Sequence, residues 1–339
     1  MINHSKPTIE SSDILAVQNI LRSSQISSGN INNKFCDELK KFFNAKNVIL
    51  TSSGTSAIVE ALRILKVKST DEIIIPAYVC SSVAHAIILS GAKPKVVDIN
   101  SDDYNISYED TVKNINKHTK AIIIPYMFGN ALDNIEKFKS LGITIIEDVA
   151  QSIGGKYRRK RLGSFGDMTV CSFYATKMIT TGEGGALVIR NPKLINQFNR
   201  DAYLYHMPDF QAALGISQLK KVDNFIFRRQ KLANQYIKGL KNVSGCFVSK
   251  PKESIYYRFI VEADKSELYH FMAQMRKQGI IVSRFTDLVF NYLKLSAKSY
   301  PNTKKALDRV ASLPLYPSLT KKEINSIINI SKKVFLLTK

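Results

Sequence analysis

The chain has no tryptophan, only four cysteines in 339 residues, and 28 acidic residues against 49 basic ones. The four cysteines, Cys36, Cys80, Cys171 and Cys246, are far apart, so neither a zinc module nor a disulfide framework is indicated. No apolar run approaches the ~18 residues of a membrane-spanning helix. The start of the chain also lacks the basic head and apolar core of an export signal. These absences predict a cytoplasmic protein with free thiols and no membrane association.

The excess of basic residues gives a formal net charge of +21, which raises the question of nucleic-acid binding. The charges are dispersed, and the densest run, residues 156–161, is typical of a β-hairpin with a solvated tip. No zinc-finger, RNA-recognition or basic-zipper pattern accompanies it. We therefore predict no nucleic-acid partner and interpret the charge as a lysine-rich surface that can also attract an anionic small-molecule substrate.

Strand-like and helical runs alternate over the first 150 residues. The strand-like runs are residues 47–51, 72–76, 94–98, 120–125 and 143–147, and the helical runs between them are residues 54–65, 81–89, 108–115 and 134–140. Such alternation is typical of an α/β fold with a mainly parallel central sheet covered by helices.

Beyond residue 155 the pattern changes. Two strand-like runs, residues 169–173 and 186–190, precede a long helical stretch at about residues 209–240. A smaller region follows, with a strand-like run at residues 256–262 and helices at residues 266–277 and 321–337. We predict a large α/β domain over residues 1–235 and a small C-terminal α+β domain over residues 236–339, packed together because no flexible linker separates them.

Two charged residues lie near the ends of strand-like runs. Lys177 follows the run 168–173 and precedes a glycine-rich turn, an arrangement that holds a functional side chain at a strand end. Asp148 closes the run 143–147, where a carboxylate would point into the ligand crevice of an α/β sheet. A lysine that attacks an aldehyde and a carboxylate beside a pyridine nitrogen are the groups that pyridoxal 5'-phosphate requires. Alternatively, Asp148 is the N-cap of a following helix, and Lys177 is one more surface lysine.

A third element favours the cofactor hypothesis. Residues 47–57 form a strand, a turn of small residues and a helix start, where free backbone N–H groups near Gly54, Thr55 and Ser56 suit a phosphate monoester. The same hydroxyl residues could also be simple helix caps. Because this element occurs in the same chain as Asp148 and Lys177, it supports the cofactor hypothesis.

With these elements in this order, the sequence resembles the DegT/StrS family of pyridoxal-phosphate sugar aminotransferases, a branch of the fold-type I aminotransferases. The similarity covers almost the whole chain. It rests on the motifs at residues 14–21, 53–57, 76–80, 147–151, 163–167, 172–185, 211–215 and 312–319.

The resemblance implies a role for each matching residue. Lys177 would hold the cofactor covalently, Asp148 would pair with its pyridine nitrogen, and Gln151 would lie by its ring hydroxyl. The phosphate would be bound by Gly54, Thr55, Ser56 and Ser172. The substrates would be an amino donor, usually glutamate, and a ketosugar, usually linked to a nucleotide. A homodimer with shared active sites is also implied.

The sequence departs from the family pattern at two places. Cys80 stands where most members have an aromatic residue that stacks on the cofactor ring. Leu204, Tyr205 and His206 stand where members have the Asn-x-Arg that a neighbouring subunit contributes. We expect Tyr205 and His206 of the neighbour to face the pocket, unless they only cap the helix that starts near residue 209. Further candidates for the substrate site are Arg284 and Tyr257.

Two rival functions remain open. A sugar dehydratase of the same family has histidine at the position of Lys177, so the lysine favours transamination. A non-catalytic, degenerate relative would be colourless, whereas a working enzyme would be yellow with bound cofactor.

Overall fold

A computed structural model describes residues 1–196, 206–241, 243, 245–248 and 251–336. The strands are β1 Asn47–Thr51, β2 Glu72–Pro76, β3 Lys93–Val97, β4 Thr119–Pro125, β5 Thr144–Asp148, β6 Lys156–Tyr157, β7 Lys160–Arg161, β8 Met168–Ser172, β9 Gly185–Ile189, β10 Phe247–Val248, β11 Phe259–Glu262 and β12 Val310–Leu313. The helices are α1 Ser11–Ser23, α2 Asn30–Phe43, α3 Gly54–Ile64, α4 Ser81–Leu89, α5 Tyr108–Asn114, α6 Ile135–Lys139, α7 Pro192–Ile195, α8 Asp209–Leu219, α9 Val222–Leu240, α10 Lys265–Lys277, α11 Val289–Tyr292, α12 Pro301–Arg309 and α13 Lys321–Leu336, with a 3-10 turn at Met127–Gly129.

The central sheet has seven strands in the order β1-β9-β8-β5-β4-β2-β3. The pairs β2–β3, β2–β4, β4–β5 and β5–β8 are parallel, whereas β9 runs antiparallel to its neighbours β1 and β8. The prediction of an α/β fold with a mainly parallel sheet is therefore confirmed. Because the other six strands share one direction, their carboxyl ends meet at one edge of the sheet.

Helices cover both faces of this sheet, so its strands are apolar on both sides. Within β2, Ile73 and Ile75 pack with α3 and α4. Ile74, which lies between them, belongs to the hydrophobic cluster on the opposite face of the sheet. This alternation is the two-residue period of a strand.

The same period places Glu147 and Asp148 on opposite faces of β5. The Glu147 carboxylate is fully buried and accepts hydrogen bonds from the Tyr126 hydroxyl at 2.5 Å and from the backbone N–H groups of Gly163, Phe165 and Gly166 at 2.7, 2.6 and 2.5 Å. Burial raises the pKa of Glu147, and these four hydrogen bonds oppose that increase. Glu147 thus holds the loop that leads into β8 and fixes the strand end that carries Asp148.

The basic run is a hairpin, as predicted. Strands β6 and β7 pair antiparallel, and Arg158 and Arg159 form the turn with φ angles of 46° and 68°. Positive φ at both central residues is the geometry of a tight two-residue hairpin turn.

The C-terminal part contains the three-stranded sheet β10-β11-β12 and its own hydrophobic cluster, which includes Leu232, Phe259, Phe271 and Phe335. The N-terminal segment joins it, since Ile2 pairs with Ile280. Helix α9 continues across residue 235, so the division at residues 235 and 236 remains a prediction.

The helical stretch predicted at residues 209–240 is two helices instead of one. Helix α8 ends at Leu219, and Lys220 and Lys221 form a turn before α9. No glycine or proline marks this break. Within the described ranges, no helix is both long and apolar enough to cross a membrane.

Candidate active site

The loops after β1, β5 and β8 meet at the carboxyl edge of the sheet and enclose a cavity of about 240 Å³. Predicted site residues from distant parts of the sequence line this one cavity: Gly54, Thr55, Cys80, Asp148, Gln151, Ser172 and Lys177. The fold therefore brings together the groups that the sequence suggested.

One end of the cavity is the N-terminus of α3. Ser53 is the N-cap, and its hydroxyl accepts the N–H of Ser56 at 3.0 Å. The N–H groups of Gly54 and Thr55, in the first turn, have no partner inside the helix. A Cβ atom on Gly54 would lie 2.9 Å from Cβ of Ser172, so glycine is needed for α3 to approach β8 this closely. Two backbone donors and the neighbouring Ser172 side chain make this end suitable for a phosphate.

Ser56 has a different position from the other predicted phosphate ligands. Its hydroxyl is hydrogen-bonded to Ser52 at 2.9 Å and to Ser53 at 2.8 Å. It is not among the residues that line the cavity. In this structure Ser56 stabilises the start of α3, which is the helix-cap alternative considered from the sequence.

Asp148 lines the same cavity. One carboxylate oxygen, Oδ1, accepts the N–H of Ala150 at 2.9 Å. The residues that follow form turns, so Asp148 is not the N-cap of a helix, contrary to the alternative left open by the sequence. Burial raises the pKa of Asp148, and the Ala150 hydrogen bond and the positive charge of Lys177 oppose that increase. A second cation at this carboxylate would stabilise its ionised form, and a protonated pyridine nitrogen is such a cation.

Lys177 projects into the same cavity from the turn that follows β8. Its backbone N–H donates to the Tyr174 carbonyl at 2.9 Å, which orders the turn. Its Nζ atom lies 5.7 Å from the centroid of the Tyr257 ring. Nζ of Lys177 thus lies over an aromatic ring and near enough to Asp148 for its charge to act on that carboxylate.

Tyr257 is buried beside three cations. Burial by itself would raise the pKa of its phenol, but the charges of Lys177, Arg258 and Arg229 and a hydrogen bond with Thr176 lower it to about 8. The sequence suggested Tyr257 as a substrate contact. The structure also places its ring under Nζ of Lys177.

A second cavity of about 220 Å³ adjoins the first and shares Cys80, Gln151, Tyr174 and Lys177 with it. Arg284, a predicted substrate residue, lines it. Two lining residues, His4 and Arg258, were not predicted, because they lie 254 positions apart and share no sequence motif. His206 is exposed before α8 and lines neither cavity within this chain. Tyr205 lies outside the described residues.

Gln151 and Cys80 occupy the wall between the cavities. The Gln151 side-chain oxygen accepts the N–H of Phe128 at 2.9 Å, which fixes the orientation of the amide. Cys80 is the N-cap of α4, with its sulfur 3.8 Å from the Asp287 carboxylate.

The donor set fits pyridoxal 5'-phosphate. A helix N-terminus with unbonded N–H groups matches the phosphate, a buried carboxylate matches the ring nitrogen, and a lysine amine matches the aldehyde. Among the described residues, no group of histidine, cysteine or acidic side chains could hold a metal ion.

This sheet, with a carboxylate at the end of one strand, a lysine in the turn after the adjacent strand and a helix start lining the same cavity, is typical of an aminotransferase of the fold-type I class. The sequence profile of the DegT/DnrJ/EryC1/StrS aminotransferase family matches residues 7–204 and 196–332, so the chain belongs to this family. The resemblance predicted from the sequence is confirmed, as are the enzyme class and the pyridoxal phosphate cofactor.

The relatives match over nearly their whole length. An uncharacterized protein of Methanocaldococcus jannaschii is 30% identical, with 97% of this chain and 96% of the relative covered. The GDP-perosamine synthase of Vibrio cholerae is 28% identical, with 99% of both chains covered. Among solved structures, the aminotransferase TlmJ of Streptoalloteichus hindustanus superposes with a TM-score of 0.92 at 23% identity, covering 100% of both chains.

Proposed function

We propose that this enzyme transfers the amino group of an amino acid, with glutamate as the first candidate, to the keto carbon of a nucleotide-linked sugar. The observation that carries the proposal is the single cavity shared by Asp148, Lys177 and the start of α3. Two relatives support the sugar acceptor: the GDP-perosamine synthase of Vibrio cholerae and the spore coat polysaccharide biosynthesis protein SpsC of Bacillus subtilis, which is 27% identical. We therefore place the enzyme in the biosynthesis of amino sugars for polysaccharides. A cytoplasmic location stays a prediction.

When bound, pyridoxal phosphate supplies an aldehyde carbon for the amino group in transit and a ring that accepts electron density from the substrate carbon. The N–H groups of Gly54 and Thr55 and the Ser172 hydroxyl bind the phosphate. Asp148 holds a proton on the ring nitrogen through its negative charge.

Lys177 has two tasks in this scheme. Its Nζ atom would hold the cofactor, and as a free amine the same atom would accept and return a proton at the donor α-carbon. Nζ lies over the Tyr257 ring, and its charge acts on Asp148, so the amine is in the part of the cavity that would hold the cofactor ring. A lysine at this position favours transamination over the dehydratase alternative, which uses histidine there.

An absorbance experiment tests this function. Protein loaded with pyridoxal phosphate should be yellow, lose its visible band on adding glutamate, and regain it on adding a nucleotide ketosugar. The amino sugar should be formed in the same mixture, as measured by mass spectrometry. A protein that stays colourless with the cofactor would support the degenerate alternative, and release of water from the sugar without gain of nitrogen would support the dehydratase.

We also propose that the enzyme is a homodimer whose active sites are completed by the neighbouring subunit. Large apolar side chains are exposed along α1 and at the end of α4, namely Ile14, Leu15, Leu21, Ile88 and Leu89. Several large apolar side chains exposed on one helix, as on α1, are typical of a subunit interface. In this arrangement Tyr205 and His206 of the neighbour would face the substrate side of the pocket.

Replacing Leu15 with glutamate should give a monomer with reduced activity, because a charge would be buried at the interface. The side chain of Leu15 is 54% exposed in the single chain, so the fold itself should tolerate the change. The matched control is Phe227→Glu, a substitution on α9 at a side chain that is 69% exposed. Light scattering after size exclusion gives the mass of each variant. A wild-type enzyme that is monomeric and fully active at assay concentration would contradict the proposal.

A further inference from the structure

The second cavity has a basic wall close to the reactive lysine. Arg258, just before β11, lines this cavity together with Lys177. The guanidinium carbon of Arg258 lies 4.8 Å from the centroid of the Tyr257 ring, and Nζ of Lys177 lies 5.7 Å from the same centroid. One aromatic ring therefore contacts both cations and sets their relative position.

Arg258 is held in place by a chain of hydrogen bonds. Its Nη1 atom donates to Nδ1 of His4 at 2.8 Å, and Nε2 of His4 lies 2.6 Å from the Ser312 hydroxyl. The Ser312 hydroxyl in turn donates to the Ser283 carbonyl at 3.3 Å. Because arginine can only donate, Nδ1 of His4 must accept, so the histidine is neutral and its proton is on Nε2.

The charge of Arg258 is consequently not compensated by the residue that orients it. Burial and the charges of Arg258 and Arg229 lower the pKa of His4 to about 3, so His4 stays neutral at physiological pH. Among the described residues, no carboxylate lies within 4.0 Å of a side-chain nitrogen of Arg258 or Arg284.

Arg284, on the same cavity, is partly engaged. Its terminal nitrogens donate to the Tyr269 hydroxyl and the Leu307 carbonyl, while its buried Nε has no hydrogen-bond partner. Both terminal nitrogens of Arg258 also have partners, Nη1 at His4 and Nη2 at the Tyr257 hydroxyl, but the second contact is long, 3.5 Å, and leaves Nη2 able to turn towards a ligand. An oriented, uncompensated cation in a partly buried cavity favours an anionic ligand.

We propose that Arg258, oriented by neutral His4, binds a carboxylate of the amino donor while the donor nitrogen lies at Lys177. This inference rests on the proposed aminotransfer. The planar guanidinium matches a carboxylate with two parallel hydrogen bonds. An α-amino acid donor carries a carboxylate on the same carbon as its reacting nitrogen, whereas the phosphate of a nucleotide-linked sugar is attached to a different carbon from the keto carbon.

Binding of glutarate tests the site without turnover, because this dicarboxylate has no amino group. Calorimetry on the cofactor-loaded enzyme should show glutarate binding at least about tenfold more weakly to Arg258→Gln than to wild type, since a charged hydrogen-bond pair is lost. Arg159→Gln, at the hairpin tip, is the matched control and should bind like wild type. Pyrophosphate should bind equally to all three. Weaker pyrophosphate binding with unchanged glutarate binding would assign Arg258 to a phosphate instead and overturn the proposal.

Two substitutions at His4 distinguish an effect on the charge of the Arg258 site from an effect on its packing. His4→Asn and His4→Asp are nearly isosteric, and each offers an oxygen to Arg258, but only aspartate neutralises the guanidinium. We expect His4→Asp to weaken glutarate binding at least about tenfold and His4→Asn to weaken it much less. Equal effects of the two would show that His4 only has a packing role, and would contradict the proposal.

Tyr257 gives a spectroscopic readout. The chain has no tryptophan, so ionisation of tyrosine can be followed in the near ultraviolet. A carboxylate at Arg258 should raise the pKa of Tyr257 above its value of about 8, because the bound negative charge opposes the phenolate. In the pyridoxamine-phosphate-loaded protein, where Lys177 is free, glutarate should shift this titration in wild type and not in Arg258→Gln. Tyr257→Phe identifies the signal.

Kinetics distinguish failure of the subsite from failure of the aminotransferase proposal. In Arg258→Gln we expect the KM for glutamate to rise at least about tenfold with kcat and the KM for the sugar acceptor little changed. If the wild type is an active aminotransferase and Arg258→Gln binds glutarate as well as the wild type does, the proposed role of Arg258 is wrong but the proposed reaction stands. If the wild type binds glutarate through Arg258 but aminates no sugar, the proposed reaction is wrong but the role of Arg258 stands.

Discussion

Replacing Lys177 with alanine is expected to reduce transamination by at least about 10³-fold, because the variant has neither the amine that anchors the cofactor nor the base that moves the proton. The fold should survive. The Lys177 side chain projects into a cavity, and the hydrogen bond that orders its turn is made by its backbone N–H. The melting temperature should therefore stay within a few degrees of the wild-type value.

Lys177→Arg is the matched control for charge. It retains a cation near Asp148 and the Tyr257 ring but cannot form the covalent link, so it should be as inactive as Lys177→Ala. Three measurements are needed: the visible absorbance after loading, the amino sugar formed, and the melting temperature. If Lys177→Ala still transferred nitrogen from glutamate at a rate near wild type, the assignment of the lysine would be wrong.

The residues of the first cavity could be predicted because they lie at or just after the ends of strands. Asp148 and Lys177 each lie near the end of an apolar run, and parallel strands separated by helices bring such ends to one edge of a sheet. The order of motifs along the chain was therefore enough to predict which residues line the first cavity. Even the role of Ser56 as a helix cap was one of two alternatives that the pattern allowed.

The second cavity could not be predicted in this way. His4 precedes the first helix and Arg258 precedes β11, and only the packing of the N-terminal segment against the C-terminal part brings them within 2.8 Å. His4 lies in no predicted element, and Arg258 lies in the strand-like run at residues 256–262, which carries no motif that points to a ligand. A contact between segments so distant in sequence depends on the tertiary structure alone.

The break between α8 and α9 shows a different limit. Lys220 and Lys221 are residues with good helix propensity, so nothing local ends the helix there. Two packing environments replace the missing local signal. Helix α8 packs against α1 and α2, whereas α9 packs against α13 of the C-terminal part. The chain turns where one set of contacts gives way to the other.

Replacing Asp148 with asparagine is expected to slow the half-reaction with glutamate far more than it weakens cofactor binding. Asparagine is similar in volume and can still accept the N–H of Ala150, so the strand end should keep its shape. The groups proposed to bind the phosphate, at Gly54, Thr55 and Ser172, lie on α3 and β8 and are unchanged. What is lost is the negative charge that keeps a proton on the ring nitrogen. Breaking a buried ion pair typically costs about 3–5 kcal/mol, which corresponds to roughly 10²- to 10⁴-fold in rate if it acts on the transition state.

The neighbouring acid supplies the control for Asp148→Asn. Glu147→Gln removes a carboxylate one residue away on the opposite face of β5, where it accepts hydrogen bonds from Tyr126 and from three backbone N–H groups. That change should lower the melting temperature and leave the half-reaction rate of the remaining folded protein close to wild type, because Glu147 does not line the cavity. Stopped-flow absorbance gives the half-reaction rate, and titration with pyridoxal phosphate gives the dissociation constant. Burial raises the pKa of Asp148, and the Lys177 cation opposes the increase, so nearby cations keep the wild-type carboxylate ionised. Asparagine has no charge and cannot form the ion pair with the ring nitrogen. A rate for Asp148→Asn within about twofold of wild type would show that the ring needs no carboxylate partner in this enzyme.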